Sequence, residues 1–128
     1  VSGTDRSRSG IGNDYADLVG DPARPAGANQ LRQYFNTAAF TQAAIGTFGD
    51  VGRNSLRGPA FFDVDASIFK KFVFTERFRL QFRAEAFNIQ NRANFNHPNA
   101  TVSAGVTFGT ITAAADPRVM QFALKMFF

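Results

Sequence analysis

Three segments in the second half of the chain alternate apolar and polar side chains, and this pattern constrains the fold more than any other feature. The first begins at Ala60, and its apolar side carries Phe62, Val64, Ala66, Ile68, Phe72 and Phe74, with Lys70 as an interruption. The second carries Phe78, Leu80, Phe82, Ala84 and Ala86, and the third carries Met120, Phe122, Leu124, Met126 and Phe128. A period of two residues is typical of a β-strand with two unlike faces. The sequence therefore predicts three strands, the last of which ends at the C-terminus.

The two connections between these strands differ in length. The first is a short turn, Thr75 to Arg77, and the second runs from about Asn88 to Arg118. Opposed residues of an antiparallel pair share a face, so the turn must contain an odd number of residues. A three-residue turn sets Lys71 opposite Gln81 and Ser67 opposite Glu85, whereas the register two residues shorter opposes like charges. The sequence therefore predicts the three-residue turn.

The first 59 residues have a different character. They contain 12 of the 16 glycines and prolines and show no sustained period of 2 or 3.6 residues. A short helical turn at 28–35 is the one regular element that we expect there. The predicted organisation is a long irregular loop region over residues 1–59, followed by three antiparallel strands over residues 60–128.

Composition removes most catalytic and metal-binding classes. With no cysteine and one histidine, His97, the chain lacks a disulfide framework, a thiolate site and a cluster of imidazoles. The spacing of Asp14, Asp17 and Asp21 lacks the alternating ligands of a calcium loop, and no serine is placed with a base. We expect no enzyme activity, no cofactor and no metal, and we expect His97 to be a solvated loop residue. A net charge of +4 and the carboxylates beside the arginines argue against nucleic-acid binding.

Alternation alone does not decide what covers the apolar faces. A soluble, secreted β-sandwich that binds a glycan or a protein would bury the phenylalanine-rich faces in a core. A transmembrane β-barrel would turn them to lipid. The expected strand lengths of roughly 11 to 14 residues, the contrast of one tight turn with one long loop, and the terminal aromatic favour the barrel. Three strands cannot close a barrel, so we expect most of it to lie outside this chain, which begins with Val1 and reads as a processed chain or a fragment.

The barrel interpretation assigns a side and an orientation to each element. Short turns of such barrels are periplasmic and long loops extracellular, which places residues 75–77 in the periplasm and residues 1–59 and 88–118 outside. Phe72, Phe74, Phe78 and Phe128 would then lie near one height, as an aromatic girdle requires. The charged sides would face a water-filled lumen. The lumen-facing residues that we predict are Asp63, Asp65, Arg79, Arg83 and Glu85, with the arginines free to pair with the aspartates.

The chain also carries a series of motifs in a fixed order. Residues 46–59 read GTFGDVGRNSLRGP, followed by DVDASIFK at 63–70 and LQFRAEAFN at 80–88. Further on come NFN at 94–96, FGTI at 108–111, DPR at 116–118 and QFALK at 121–125. This series, which covers most of residues 38–128, resembles the C-terminal part of Oar-like TonB-dependent receptors. These receptors are large outer-membrane barrels with a carboxypeptidase-regulatory-like N-terminal domain.

The resemblance implies a position and a function. The three strands would be the last of roughly 22 in a barrel that carries out energised transport across the outer membrane of a Gram-negative-type cell. Phe122, Leu124, Met126 and Phe128 would act as the C-terminal signal that the barrel assembly machinery reads. The implied partners are outer-membrane lipid, that machinery, the remainder of the barrel and its plug, and TonB, which would be contacted through an N-terminal part not present in these residues.

Overall fold

The computed structural model describes residues 1–128 and divides them into two compact units. We call Val1–Pro59 with Asn96–Ala113 the loop unit, and Ala60–Phe95 with Ala114–Phe128 the sheet unit. The strands are β1 (Ala16–Leu18), β2 (Phe40–Gln42), β3 (Ala66–Val73), β4 (Arg79–Phe87) and β5 (Val119–Phe127). The only helical segments are two short 3-10 helices, Thr37–Ala39 and Val102–Thr107. The fold is all-β with antiparallel sheets, as predicted.

The sheet unit is built on one three-stranded antiparallel sheet in the order β3-β4-β5. Lys71 pairs with Gln81, Phe69 with Arg83 and Ser67 with Glu85, so the register predicted from loop parity and charge is confirmed. The Phe78 backbone N–H donates to Thr75 Oγ1 at 3.0 Å, and the Phe78 carbonyl accepts from the Phe74 N–H at 3.1 Å. The side-chain hydroxyl of Thr75 thus closes the turn without a glycine.

Two predicted strand boundaries are wrong. The β3 ladder begins at Ala66 rather than Ala60, although the alternation continues upstream of it. Residues 60–65 pair with no strand; the backbone of Phe62 bonds to the Asn94 side chain, and the Val64 carbonyl accepts from the Ile89 N–H at 2.9 Å. At the other end, β5 stops at Phe127, so Phe128 follows the paired ladder.

The loop unit contains all the buried hydrophobic residues of the chain: Ala16, Phe35, Ala39, Ala43 and Ile111. The ring of Phe35 packs edge-on against those of Phe40 and Phe108, at centroid distances of 5.4 and 5.2 Å. Strands β1 and β2 pair antiparallel, with Ala16 opposite Gln42. The Tyr34 N–H donates to the Gly109 carbonyl at 2.9 Å, and the Ile111 N–H to that of Leu31 at 2.7 Å. Two distant stretches of chain therefore share one small core.

Most of residues 1–59 lie outside regular secondary structure. The expected helical turn at 28–35 is reduced to one bond of helical spacing, from the Gln33 N–H to the Asn29 carbonyl at 2.8 Å. The assignment of residues 1–59 to extracellular loops stays a prediction.

Candidate functional site

The three-stranded sheet has two chemically different faces. Because side chains alternate along each strand, the register fixes which residues share a face. One face, which we call the polar face, carries all the charged and amide side chains of the sheet except Lys70, together with several apolar ones: Ser67, Phe69, Lys71, Val73, Arg79, Gln81, Arg83, Glu85, Phe87, Val119, Gln121, Ala123, Lys125 and Phe127. The other, the apolar face, carries Ala66, Ile68, Lys70, Phe72, Leu80, Phe82, Ala84, Ala86, Met120, Phe122, Leu124 and Met126.

The apolar face is open. Phe122 is 65% exposed, Ile68 69% and Leu124 62%, and no hydrophobic residue of the sheet unit is buried. The rings of Phe82 and Phe122 stack across the β4–β5 pair at 6.4 Å. A soluble sandwich would require these side chains to be sealed under a second layer, and no residue of this chain forms such a layer over them.

Lys70 is the one charged residue of the apolar face, where it lies opposite Phe82. Its ammonium lies 5.5 Å from the ring centroid of Phe72, which is two residues nearer to the turn. The side chain therefore leans toward the hairpin end of the sheet. A cation above an aromatic face is attracted by the quadrupole of the ring.

The predicted lumen-facing residues fall into two groups. Arg79, Arg83 and Glu85 lie together on β4, where the Arg83 guanidinium forms an ion pair with Glu85 at 3.6 Å. Asp63 and Asp65 precede β3, and the arginines do not pair with them. That expected pairing is wrong because the start of β3 lies at the β4 end that carries Phe87, away from Arg79. Asp65 Oδ1 instead accepts from the Asn88 N–H at 3.0 Å.

The four residues of the predicted assembly signal lie on or just after the last strand. Phe122, Leu124 and Met126 project from the apolar face of β5, and Phe128 is 99% exposed. Phe127 pairs with Arg79, which places Phe128 at the same end of the sheet as Phe78. The rings of Phe74 and Phe78 also meet there at 5.5 Å, and the common height of this aromatic group in the membrane stays a prediction. β5 pairs with β4 alone, and its outer edge is free.

Two buried asparagines form hydrogen bonds to the backbone at the end of the sheet away from the hairpin turn. The Asn94 side chain accepts from the Phe62 N–H at 3.0 Å and donates to the Phe62 carbonyl at 2.8 Å. Asn88 donates from Nδ2 to the carbonyls of Arg92 and Asp116 at 2.9 and 3.2 Å. These bonds satisfy backbone groups beyond the ladder, where no strand is available. Periodicity gives no signal for either residue, although NFN belongs to the motif series.

The GTFG stretch packs against β1. A Cβ at Gly49 would collide with the carbonyl oxygens of Tyr15 and Ala16. The Val51 N–H donates to the Ala16 carbonyl at 3.0 Å, and Asp50 Oδ1 accepts from the Leu18 N–H at 2.8 Å. The glycine therefore permits close backbone approach, and the aspartate extends the pairing.

An apolar cavity of about 310 Å³ lies in the loop unit, where Tyr15, Phe35, Phe40 and Phe108 line it. Arg53 Nε donates to the Tyr15 hydroxyl at its rim at 3.4 Å. This hydrogen bond raises the pKa of the Arg53 guanidinium above its ordinary value. An arginine side chain is positively charged throughout the physiological pH range, so the rim carries a positive charge.

A second loop-unit cavity, of about 440 Å³, is more basic. Arg24, Arg57 and His97 line it together with Tyr34 and Phe35. His97, expected to be a solvated loop residue, is exposed, and its imidazole lies close to the backbone of Gly58. Arg24 and Arg57 are 33 positions apart, so no local sequence pattern connects them.

Asp14, Asp17 and Asp21 each bind nearby backbone. Asp14 accepts from the Ser7 N–H at 2.6 Å, Asp17 from the Asp50 N–H at 3.2 Å, and Asp21 from the Ala23 N–H at 2.9 Å. The three carboxylates do not converge, and no group of three metal-ligating side chains is present. None of the helical segments has the length and hydrophobicity that a membrane-spanning helix requires.

Comparison with known proteins gives one match. The family described as outer membrane beta barrel domain matches residues 1–121, which include parts of both units. Neither the curated proteins nor the solved structures give a match. The match spans well over half of the chain and agrees with a sheet that exposes one charged and one apolar face. This chain belongs to the outer membrane beta barrel domain family, and its place is the outer membrane.

Proposed function

We propose that this chain is the C-terminal barrel segment of an Oar-like TonB-dependent receptor, which moves a ligand across the outer membrane with energy supplied through TonB. The barrel part of this proposal is supported by the three-stranded sheet. Both faces of the sheet are exposed, and neither outer edge is paired with another strand. The receptor assignment is supported by the ordered motifs between Gly46 and Lys125. The transport role rests on that resemblance.

In this proposal the polar face lines the lumen and the apolar face meets acyl chains. An arginine at the mid-membrane lipid face costs roughly 2 to 4 kcal/mol, so Arg79 and Arg83 must face water. Glu85 faces the lumen beside Arg83, and Asp63 and Asp65 line its end, where they also border a depression beside Asn88. Lys70 leans toward the hairpin end, as a lysine does when it extends its ammonium to the nearer interface.

The orientation follows from the connections. The turn at 75–77 is periplasmic, and the loop unit belongs to the extracellular side. Because the chain has no cysteine, single cysteines can report this orientation. A membrane-impermeant maleimide added to intact cells should label Val106→Cys, a position that is 96% exposed, and should leave Glu76→Cys unlabelled until the outer membrane is opened. The reverse pattern would overturn the orientation.

The terminal strand supplies the assembly signal. β5 presents a free backbone edge together with Phe122, Leu124, Met126 and the terminal Phe128, which is what a template strand of the barrel assembly machinery can pair with. The remaining proposed partners are lipid, the rest of the barrel with its plug, and TonB. We propose no catalytic role for any residue.

The receptor assignment is tested by TonB binding. Full-length protein containing this chain, folded in detergent micelles, is mixed with the purified periplasmic domain of TonB from the same cell. We expect a complex that is lost when the segment preceding the plug is deleted. A parent gene without a plug, or full-length protein that does not bind TonB, would reject transport and leave the outer-membrane barrel.

A further inference from the structure

We propose that the basic cavity of the loop unit is a binding site for a small organic oxyanion, a phosphate monoester or carboxylate carried on an aromatic or other apolar body. Its volume of about 440 Å³ falls within the usual range for small-molecule sites. The proposal goes beyond the receptor assignment, because binding at this cavity requires neither TonB nor transport.

The first argument is the sign of the charge. Arg24, Arg57 and His97 line the cavity, and no carboxylate does. The only ion pair of the chain joins Arg83 to Glu85, so Arg24 and Arg57 have no internal counter-charge. Arginine side-chain hydrogen bonds are made by Arg6 and Arg53 alone, which leaves both cavity guanidiniums with their donors free.

The second argument is the fit of those donors to an oxyanion. A guanidinium offers a planar fork of N–H groups that matches the two oxygens of a carboxylate or phosphate. Two such groups at one cavity favour an anion over a neutral sugar, which would leave the charges without a partner. Arg57 belongs to the GRNSLRGP stretch, whose barrel role is otherwise unassigned.

The third argument is the apolar part of the wall. Pro22, Phe35, Leu56 and Pro98 line the cavity beside the basic groups, and Tyr34 adds a ring with a hydroxyl. Inorganic phosphate would leave this surface uncovered. A ligand with an apolar body would bury it, with its anionic group at the arginines.

Gly58 controls the shape of the site. A Cβ at this position would collide with His97 Nδ1, while the backbone of Gly58 needs no left-handed conformation. Gly58→Ala should therefore displace the imidazole of His97 without removing a charged group from the cavity lining.

The test measures binding of phenyl phosphate and benzoate to the full-length protein in detergent micelles, by calorimetry. Phenol supplies the ring without the charge, and inorganic phosphate supplies the charge without the ring. We expect both organic anions to bind more tightly than either control. Arg24→Gln and Arg57→Gln should each weaken binding by about tenfold, as the loss of one charge-assisted contact does. Arg32→Gln, in the same unit but outside the cavity, should change affinity by less than about twofold.

Competition identifies the source of the anion. Displacement of phenyl phosphate by lipid A micelles would assign the site to a lipid headgroup, and the absence of displacement would assign it to a soluble ligand. Circular dichroism of each variant confirms that it is folded. Equal binding of phenol and phenyl phosphate, unchanged affinity in the Arg24→Gln, Arg57→Gln double variant, or no binding of either organic anion would overturn the proposal.

Discussion

Asn94 pairs with the backbone of Phe62 in both directions, as a strand residue would. Its Oδ1 accepts from the Phe62 N–H at 3.0 Å, and its Nδ2 donates to the Phe62 carbonyl at 2.8 Å. Asn94 is 2% exposed, so both bonds are protected from water. A side-chain amide thus replaces a neighbouring strand at a point where the β3 ladder has not yet begun.

Asn94→Ala should lower the free energy of unfolding by about 1 to 3 kcal/mol, because it leaves the N–H and carbonyl of Phe62 without partners. Urea unfolding of the full-length protein in lipid vesicles measures this. Asn96→Ala, at an exposed position two residues away, is the matched control and should stay within about 0.5 kcal/mol of the wild type. Equal losses in both variants would contradict the bidentate role of Asn94.

Gly49→Ala should destabilise the contact between residues 49–51 and β1 by about 1 to 3 kcal/mol, because its Cβ has no room against two carbonyl oxygens. Hydrogen exchange at the Leu18 and Val51 amides should become faster. Gly52→Ala, where a Cβ meets nothing within 4 Å, should leave exchange unchanged. Equal hydrogen-exchange rates in the two variants would mean that the close backbone approach at Gly49 does not contribute to stability.

The two faces of the sheet can be compared with one substitution. Ala84 lies on the apolar face and Ala123 on the polar face, opposite Arg83. Ala84→Lys should lower the free energy of unfolding by about 2 to 4 kcal/mol, because it places a charge in lipid. Ala123→Lys should lower it by no more than about 1 kcal/mol, through repulsion between the new lysine and Arg83. Urea unfolding in vesicles gives both values. A larger cost at Ala123 would reverse our assignment of lumen and lipid.

The parity of the turn gives a further prediction. One glycine inserted between Glu76 and Arg77 would place odd-numbered residues of β3 opposite even-numbered residues of β4. This shift turns the charged side of β4 toward lipid. Two inserted glycines preserve the parity. We expect the single insertion to abolish the folded, heat-modifiable band in outer-membrane fractions and the double insertion to retain most of it. Equal yields would mean that the hairpin does not set the faces.

Phe128→Asp should slow assembly of the full-length protein into the outer membrane far more than His97→Ala does. The aspartate places a charge at the exposed end of the terminal strand, whereas His97 lies in the loop unit. Pulse-chase labelling followed by gel mobility of the folded form measures the rates. Equal rates for the two variants would count against Phe128 as part of the assembly signal.

The sequence predicted the β3–β4 register because two independent constraints agreed, the parity of the faces and the avoidance of like-charge pairs such as Lys71 against Arg79. It placed the start of β3 too early, since alternation reports which side chains share a face and not whether a neighbouring strand exists. Alternation likewise does not show that Asp63 and Asp65 precede the ladder, where the arginines of β4 do not pair with them. Asp65 lies beyond the ladder, and its carboxylate serves the Asn88 N–H instead.

The loop unit was beyond sequence reasoning for a different physical reason. β1 and β2 have three residues each, too short for a period to be visible. The core around Phe35 depends on Phe108 and Ile111, which arrive from a segment more than 70 residues away. The basic cavity likewise unites Arg24, Arg57 and His97, which no local pattern connects.

The shared core of residues 1–59 and 96–113 has an immunological consequence. On the cell surface that our orientation assigns to it, this unit presents an epitope assembled from two separate stretches of chain. Antibodies raised against intact bacteria and directed at this epitope should bind the native protein more strongly than its denatured form on blots.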